Sequence, residues 1–330
     1  MLKKKLLFLL GVMVLLSLAG AGLIFAVDAG GMENIQEQKV FVTSFYPVYI
    51  LAENLTEGTR TVVANLADQQ TGCLHDYQIT TKDRRLLSTA DALILNGAGM
   101  ELFLEEILEQ EPELPVIDLS VGISLLSGSA HAHSHANAEE EEQAQTKEHE
   151  HADGHEHGGE NGHVWMDITC YRQQAETLYR SLCLLDPEQT EDYRRAYEVY
   201  EEKLAALEQE TDELSRQTKG LPVVLFHEAY PYLADRLGME VLVSVALDED
   251  AVPSAGEIAE MIEELRHHGG GLILIEELYA AHADKILAET EAKVVFIDPL
   301  TMGDGNPNSY LTQMQANLEA IREVIGGEEP

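Results

Sequence analysis

Cysteine and basic residues are scarce in this sequence, and each scarcity excludes a class of function. Among 330 residues there are three cysteines, Cys73, Cys170 and Cys183, and none follows Cys183. That is too few for a disulfide scaffold. Cys170 and Cys183 fall on one predicted helix 13 residues apart, about 20 Å along its axis and beyond disulfide reach. Lysine and arginine total 21 against 59 acidic residues, a formal charge of −38. With no basic patch to break that field, nucleic acid and anionic lipid are excluded as partners, and cations become the natural small ligands. Catalytic signatures are missing too. His227-Glu228 lacks the second histidine of H-E-x-x-H, because position 231 is Pro231. Gly97-Ala98-Gly99 lacks the third glycine of a dinucleotide fingerprint. Gly269-Gly270-Gly271 precedes a strand, so it reads as a helix stop and turn rather than a phosphate cradle.

What is present begins with Lys3, Lys4 and Lys5, followed by an uncharged run of 22 residues from Leu6 to Val27. A basic head on such a run has the pattern of an export signal, and its length also suits an uncleaved membrane anchor. The lysines then stay in the cytoplasm and everything after Asp28 lies outside, in a periplasm or at a cell surface. No cysteine in or near the run offers a lipid attachment point.

Beyond the leader (residues 1–29), short apolar runs alternate with longer helical periodicities. Strands are predicted at Lys39–Ser44, Thr61–Leu66, Ala92–Leu95 and Pro115–Leu119, then at Pro222–Phe226, Val241–Ala246, Leu272–Ile275 and Lys293–Ile297. Helices are predicted near Val48–Thr56, Ile79–Ser88 and Leu102–Glu109, then Tyr230–Leu237, Ala255–His267, Ala281–Thr290 and Ser309–Ile325. The alternation indicates an α/β fold of two lobes with parallel sheets flanked by helices, over residues 39–185 and 221–330. Between them, Tyr193, Tyr197, Tyr200, Leu204, Leu207 and Leu214 recur at helical spacing. Asp186 and Pro187 supply a start and Gly220 a stop, giving one long rigid connecting helix over 186–220. A coiled-coil segment is the rival reading.

One stretch is foreign to the rest. Residues 131–163 hold eight histidines, nine acidic residues and a single lysine, with nothing apolar to build a core, so a mobile loop (130–162) is expected. Without that stretch the chain still carries 50 acidic against 20 basic residues, so the acidity is general. His131, His133, His135, His149, His151, His155 and His157 have spacings that let neighbouring imidazoles share a cation. Ordering a flexible loop costs entropy, so this is a secondary, low-affinity site.

Four other residues carry the sharper expectation. His75 follows the second predicted strand, His163 ends the loop, His227 follows strand Pro222–Phe226, and Asp298 follows strand Lys293–Ile297. In open α/β sheets ligands bind beyond the carboxyl ends of strands. Two of the four come from each lobe, and three imidazoles with one carboxylate form a tetrahedral zinc set. Glu276 and Glu277, at the end of strand Leu272–Ile275, rank below Asp298 as carboxylate ligands. Cys73 reads as a small buried side chain before it reads as a ligand.

Several segments together resemble the zinc/manganese solute-binding proteins of ABC transporters, in their zinc-uptake branch. They are Val42-Thr43-Ser44-Phe45-Tyr46-Pro47, His75-Asp76-Tyr77, Asn96-Gly97-Ala98-Gly99-Met100-Glu101, His163-Val164-Trp165-Met166-Asp167 and Phe226-His227-Glu228-Ala229-Tyr230, spread over Lys39 to Ile325. The resemblance implies two α/β lobes joined by a long helix, with metal ligands at His75, His163, His227 and Asp298. Manganese-type members carry glutamate at the third position, and His227 with its nitrogen donor suits zinc better. Leu74 and Ile168 replace prolines common in the family, which affects local rigidity and removes no donor. The implied function is extracytoplasmic capture of Zn²⁺ by a monomeric, non-catalytic protein that hands it to a membrane ABC permease. The rivals are a manganese or iron carrier of the same family, a surface zinc buffer or adhesin with no transport role, and a zinc hydrolase.

Overall fold

A computed structural model describes residues 38–67, 74, 77–128, 159–245 and 253–326. The N-terminal lysines and apolar run, Cys73, His75 and the histidines from His131 to His157 lie outside the described residues. Among the described residues no helix is long and apolar enough to cross a membrane.

The first lobe runs β1 (Val40–Thr43), α1 (Tyr46–Leu55), β2 (Val62–Asn65), α2 (Thr81–Leu87), β3 (Ala92–Leu95), α3 (Glu105–Gln110) and β4 (Val116–Asp118). Next come α4 (Ile168–Leu185) and the long α5 (Thr190–Thr218). The second lobe runs β5 (Pro222–Leu225), α6 (Tyr230–Arg236), β6 (Glu240–Ser244), α7 (Ala255–His267), β7 (Leu272–Ile275), α8 (Ala280–Glu289), β8 (Lys293–Phe296) and α9 (Ser309–Gly326). Both sheets are four-stranded and wholly parallel, ordered β2-β1-β3-β4 and β6-β5-β7-β8. The two lobes therefore repeat one topology. In each, the chain reverses direction across the sheet between the two central strands, and there the carboxyl ends leave a crevice.

Local signals account for most element boundaries. Thr80 with Asp83 and Ser254 with Glu257 form capping boxes at the starts of α2 and α7, and Asp167 caps α4 through the Thr169 N–H. Gly269, with φ +73°, ends the turn after α7, as the glycine run predicts. The connecting helix differs at its start. Pro187 opens a 3-10 turn, Pro187–Gln189, and the α-helix begins only at Thr190. Asp186 caps neither, because its carboxylate accepts from Gln189 Nε2 and Tyr193 Oη instead. The helix is thus 29 residues long, about 44 Å at 1.5 Å per residue. Likewise the segment predicted as helix from Leu102 opens as a 3-10 turn, Leu102–Leu104, before α3.

The apolar stripe on α5 faces inward. Tyr193, Tyr200, Leu204, Leu207 and Leu214 are buried, while Tyr197 is half-exposed and stacks on Tyr179 of α4 with ring centroids 4.6 Å apart. One hydrophobic core includes α1, α4, α5, α6 and α9 and reaches strands of both sheets. The connector is therefore a packed spine shared by both lobes rather than a free coiled coil.

Candidate metal centre

His163 and His227 come together. His163 stands at the head of the 3-10 turn Val164–Met166, and His227 immediately follows Phe226 at the carboxyl end of β5. Both are buried, at 2% and 8% exposure. Their rings meet edge to face with centroids 5.7 Å apart. Two imidazoles bound to one tetrahedral ion at ~2.0–2.1 Å place their centroids roughly 5–6 Å apart. The observed spacing therefore fits a shared cation.

The Glu276 carboxylate stands beside this pair: its Oε1 lies 3.7 Å from His227 Nε2. The two residues end β5 and β7, the strands that flank the reversal point of the second sheet. The sequence ranks Glu276 below Asp298 because a carboxylate at a strand end is commonly solvated; the strand order sets it beside His227. Glu277 is exposed, at the start of the 3-10 turn Glu277–Tyr279.

Asp298 is held differently. Its Oδ1 accepts from the Leu300 N–H at 2.7 Å and its Oδ2 from Gln313 Nε2 at 3.1 Å, while its own N–H donates to Asn317 Oδ1 at 2.8 Å. The first of these bonds braces Leu300, a buried leucine in the left-handed region at φ +63°. Although its edge meets solvent, the protein around it raises the Asp298 carboxyl above the ordinary range, offset by the Leu300 and Gln313 bonds. Trp165 Nε1 donates to the Pro299 carbonyl at 2.8 Å, and the Trp165 ring lies 5.0 Å from that of His163. The Asp298 loop is thus fastened to the His163 segment. Among the described residues, no cluster of three histidine, cysteine, aspartate or glutamate side chains is assembled for a metal. Of the sequence-predicted ligands, His163 and His227 are adjacent, Asp298 sits on the loop tied to Trp165, and His75 lies outside the described residues.

Beneath His163 is a buried polar network. Glu101, 7% exposed, accepts from Ser44 Oγ (2.7 Å) and from the Asn96 (2.8 Å) and Gly97 (3.1 Å) N–H groups. Burial pushes its carboxyl up to about 7 against the pull of those three donors. Asn96 Nδ2 donates to the Gly162 carbonyl at 2.8 Å. Gly162 has no room for a side chain, since a Cβ there would come within 2.6 Å of Met100 Cγ and 2.9 Å of the Ala98 carbonyl oxygen. The Asn96–Glu101 segment is therefore the seat on which the chain before His163 rests. Of the cysteines, Cys73 lies outside the described residues, while Cys170 and Cys183 are free, and burial with the neighbouring Asp167 raises the Cys170 thiol to about 12.

The family model described as ZnuA, zinc-uptake complex component A, periplasmic, matches residues 41–324. A zinc-binding lipoprotein, AdcA of Streptococcus pneumoniae serotype 4, is 26% identical over 322 residues, covering 96% of this chain and 61% of its own length. The high-affinity zinc uptake system protein ZnuA of Yersinia pestis is 26% identical over 266 residues, covering 79% of this chain and 83% of its own. The crystal structure of Zn(II)-bound AdcA from S. pneumoniae matches with a TM-score of 0.68 at 23% identity, over 89% of this chain and 59% of that one. At that identity the likeness is one of fold. The chain spans about three-fifths of the length of the AdcA relatives it matches.

Proposed function

The chain belongs to the family of zinc-uptake complex component A, and from that premise we propose that it captures one Zn²⁺ outside the cytoplasm and delivers it to an ABC permease. The approach of two buried imidazoles at 5.7 Å from opposite lobes carries this reading. His75, His163 and His227 serve as neutral nitrogen ligands, and a carboxylate, Asp298 or Glu276, completes the shell and balances charge. The basic head and apolar run at the N-terminus support export, as do relatives named lipoprotein and periplasmic component. The protein acts as a monomer and turns over no substrate.

Nitrogen-rich donors favour zinc over manganese, which prefers oxygen. His163 and His227 belong to different lobes, and the spine α5 is packed against both. Release therefore follows from small shifts that spoil ligand geometry rather than from wide opening. Because ligation needs unprotonated imidazoles, affinity falls as pH drops through the histidine range. The test is a zinc titration against a chelator, with Mn²⁺ as competitor, on the wild type and His227→Ala. One tight zinc per chain, lost in the variant and not displaced by equal Mn²⁺, is the expected result. Tighter Mn²⁺ binding would make the protein a manganese carrier.

A further inference from the structure

One side chain touches both histidine-bearing segments, and it belongs to neither the ligand set nor the family segments described above. Asn161 lies two residues before His163 and is 5% exposed. Its Oδ1 accepts the His163 backbone N–H at 2.9 Å, and its Nδ2 donates to the Glu228 carbonyl at 2.7 Å. A backbone N–H only donates and a carbonyl only accepts, so these two bonds fix which end of the amide is oxygen. The same Oδ1 lies 2.9 Å from His163 Nδ1. Facing an acceptor, Nδ1 must carry the ring hydrogen, which makes Nε2 the lone-pair nitrogen of neutral His163.

The Asn161 main chain is equally well held. Its N–H donates to the Leu126 carbonyl at 2.8 Å, and its carbonyl accepts from Tyr232 Oη at 2.7 Å. Tyr232 Oη in turn accepts the Leu126 N–H at 3.1 Å. Tyr232 lies on α6 and Glu228 directly follows His227, so both of these contacts cross to the second lobe. Asn161 is thus clamped between the lobes, with its oxygen on one histidine and its nitrogen on the chain carrying the other.

His227 has the opposite arrangement. The Ala229 N–H donates to His227 Nδ1 at 2.9 Å, so in the metal-free neutral ring the hydrogen sits on Nε2, toward Glu276. Ligation through Nε2 requires the ring to leave the Ala229 contact and carry its hydrogen on Nδ1. His163 is therefore the histidine whose Nε2 is preset to bind a cation, and Asn161 presets it.

We propose that Asn161 is a positioning residue for zinc capture: it selects the Nδ1–H form of His163 and holds that ring in register with the His227 segment. This rests on His163 and His227 being ligands. Partners of this kind fix the ring orientation of metal-binding histidines, and losing one costs roughly 10–100-fold in metal affinity.

The test compares wild type, Asn161→Ala, Asn161→Asp and His163→Ala. Ring ¹⁵N shifts of His163 in the metal-free protein at pH 8 report which nitrogen bears hydrogen, and chelator competition gives zinc affinity. Aspartate keeps an acceptor for Nδ1–H and loses the donor to Glu228, so the two roles separate. The wild type and Asn161→Asp are expected to hold His163 as Nδ1–H, and Asn161→Ala to lose that preference. Zinc affinity should fall roughly 10–100-fold in Asn161→Ala, with Asn161→Asp between it and wild type. If Asn161→Ala does not fold, Asn161→Asp with wild-type affinity overturns the register role. Wild-type His163 found as Nε2–H overturns the tautomer role. Unchanged affinity in both Asn161 variants, with tight zinc lost in His163→Ala, overturns the proposal alone. Unchanged affinity in His163→Ala overturns the ligand reading and the proposal with it.

Discussion

Glu101 gives a pH dependence whose size follows from its surroundings. The carboxyl is enclosed beneath the His163 segment and titrates at about 7, against an ordinary value of 4.5. Burial raises it most, with a smaller push from Asp118, against three hydrogen bonds that favour the charged form. Between these values the open chain gives up its proton while the folded chain keeps it. Rising pH therefore favours unfolding: this contribution is complete below about pH 4.5 and is lost as pH passes through 7. At about 1.4 kcal/mol for each tenfold change in proton concentration, the loss is about 3 kcal/mol. Glu101→Gln cannot ionise. Its amide NH₂ would oppose the Gly97 N–H, a fixed cost of roughly 1–3 kcal/mol at every pH. Urea denaturation of both proteins from pH 4.5 to 8.5 isolates the effect, because all other titrating groups cancel in the difference. The wild-type advantage should shrink by about 3 kcal/mol across that range. A difference that stays constant with pH would refute the reasoning.

Other outcomes follow from the same geometry. If Glu276 is the completing carboxylate, Glu276→Gln should weaken zinc binding by at least ~10-fold while Asn at position 298 changes it little; chelator competition on both variants decides, and the reverse ranking restores Asp298. Arg236 is 19% exposed in its side chain and meets Asp212 at 2.5 Å, Asp167 at 3.5 Å and Glu208 at 3.9 Å. It ties α6 to α5 and the start of α4, so Arg236→Met should cost about 2 kcal/mol in urea unfolding, between the ~0–1 of exposed pairs and ~3–5 of buried ones. No measurable change would mean the cluster does not fasten the lobes. Deleting residues 131–157 should lower the number of zinc ions bound at saturation and leave the tightest site intact, as read by calorimetry; loss of the tight site would overturn that division.

The strands are legible in the sequence because each is a short apolar run between turn residues, and all eight form close to their predicted positions. The lobes and connector follow from that alternation and from the α5 stripe. Two kinds of feature are not legible. Asp186-Pro187 has the local signature of an α-helix start, yet Asp186 is taken by the Gln189 and Tyr193 side chains, a competition that needs the fold to exist. Glu276 and Asn161 gain their meaning only through tertiary placement, one from strand order and the other from bonds that cross between lobes. His227 was legible because position after a strand is a one-dimensional property that parallel topology turns into proximity. His163, at the end of the loop and the head of a 3-10 turn, was legible through the segment His163-Val164-Trp165-Met166-Asp167.

Histidines from distant parts of the chain are proposed to share one zinc ion. X-ray absorption at the zinc edge, on protein loaded with one equivalent, measures that shell directly. Three imidazole nitrogens and one oxygen at ~2.0–2.1 Å are the expected shell. A sulfur scatterer at ~2.3 Å, or a shell of oxygen alone, would contradict it.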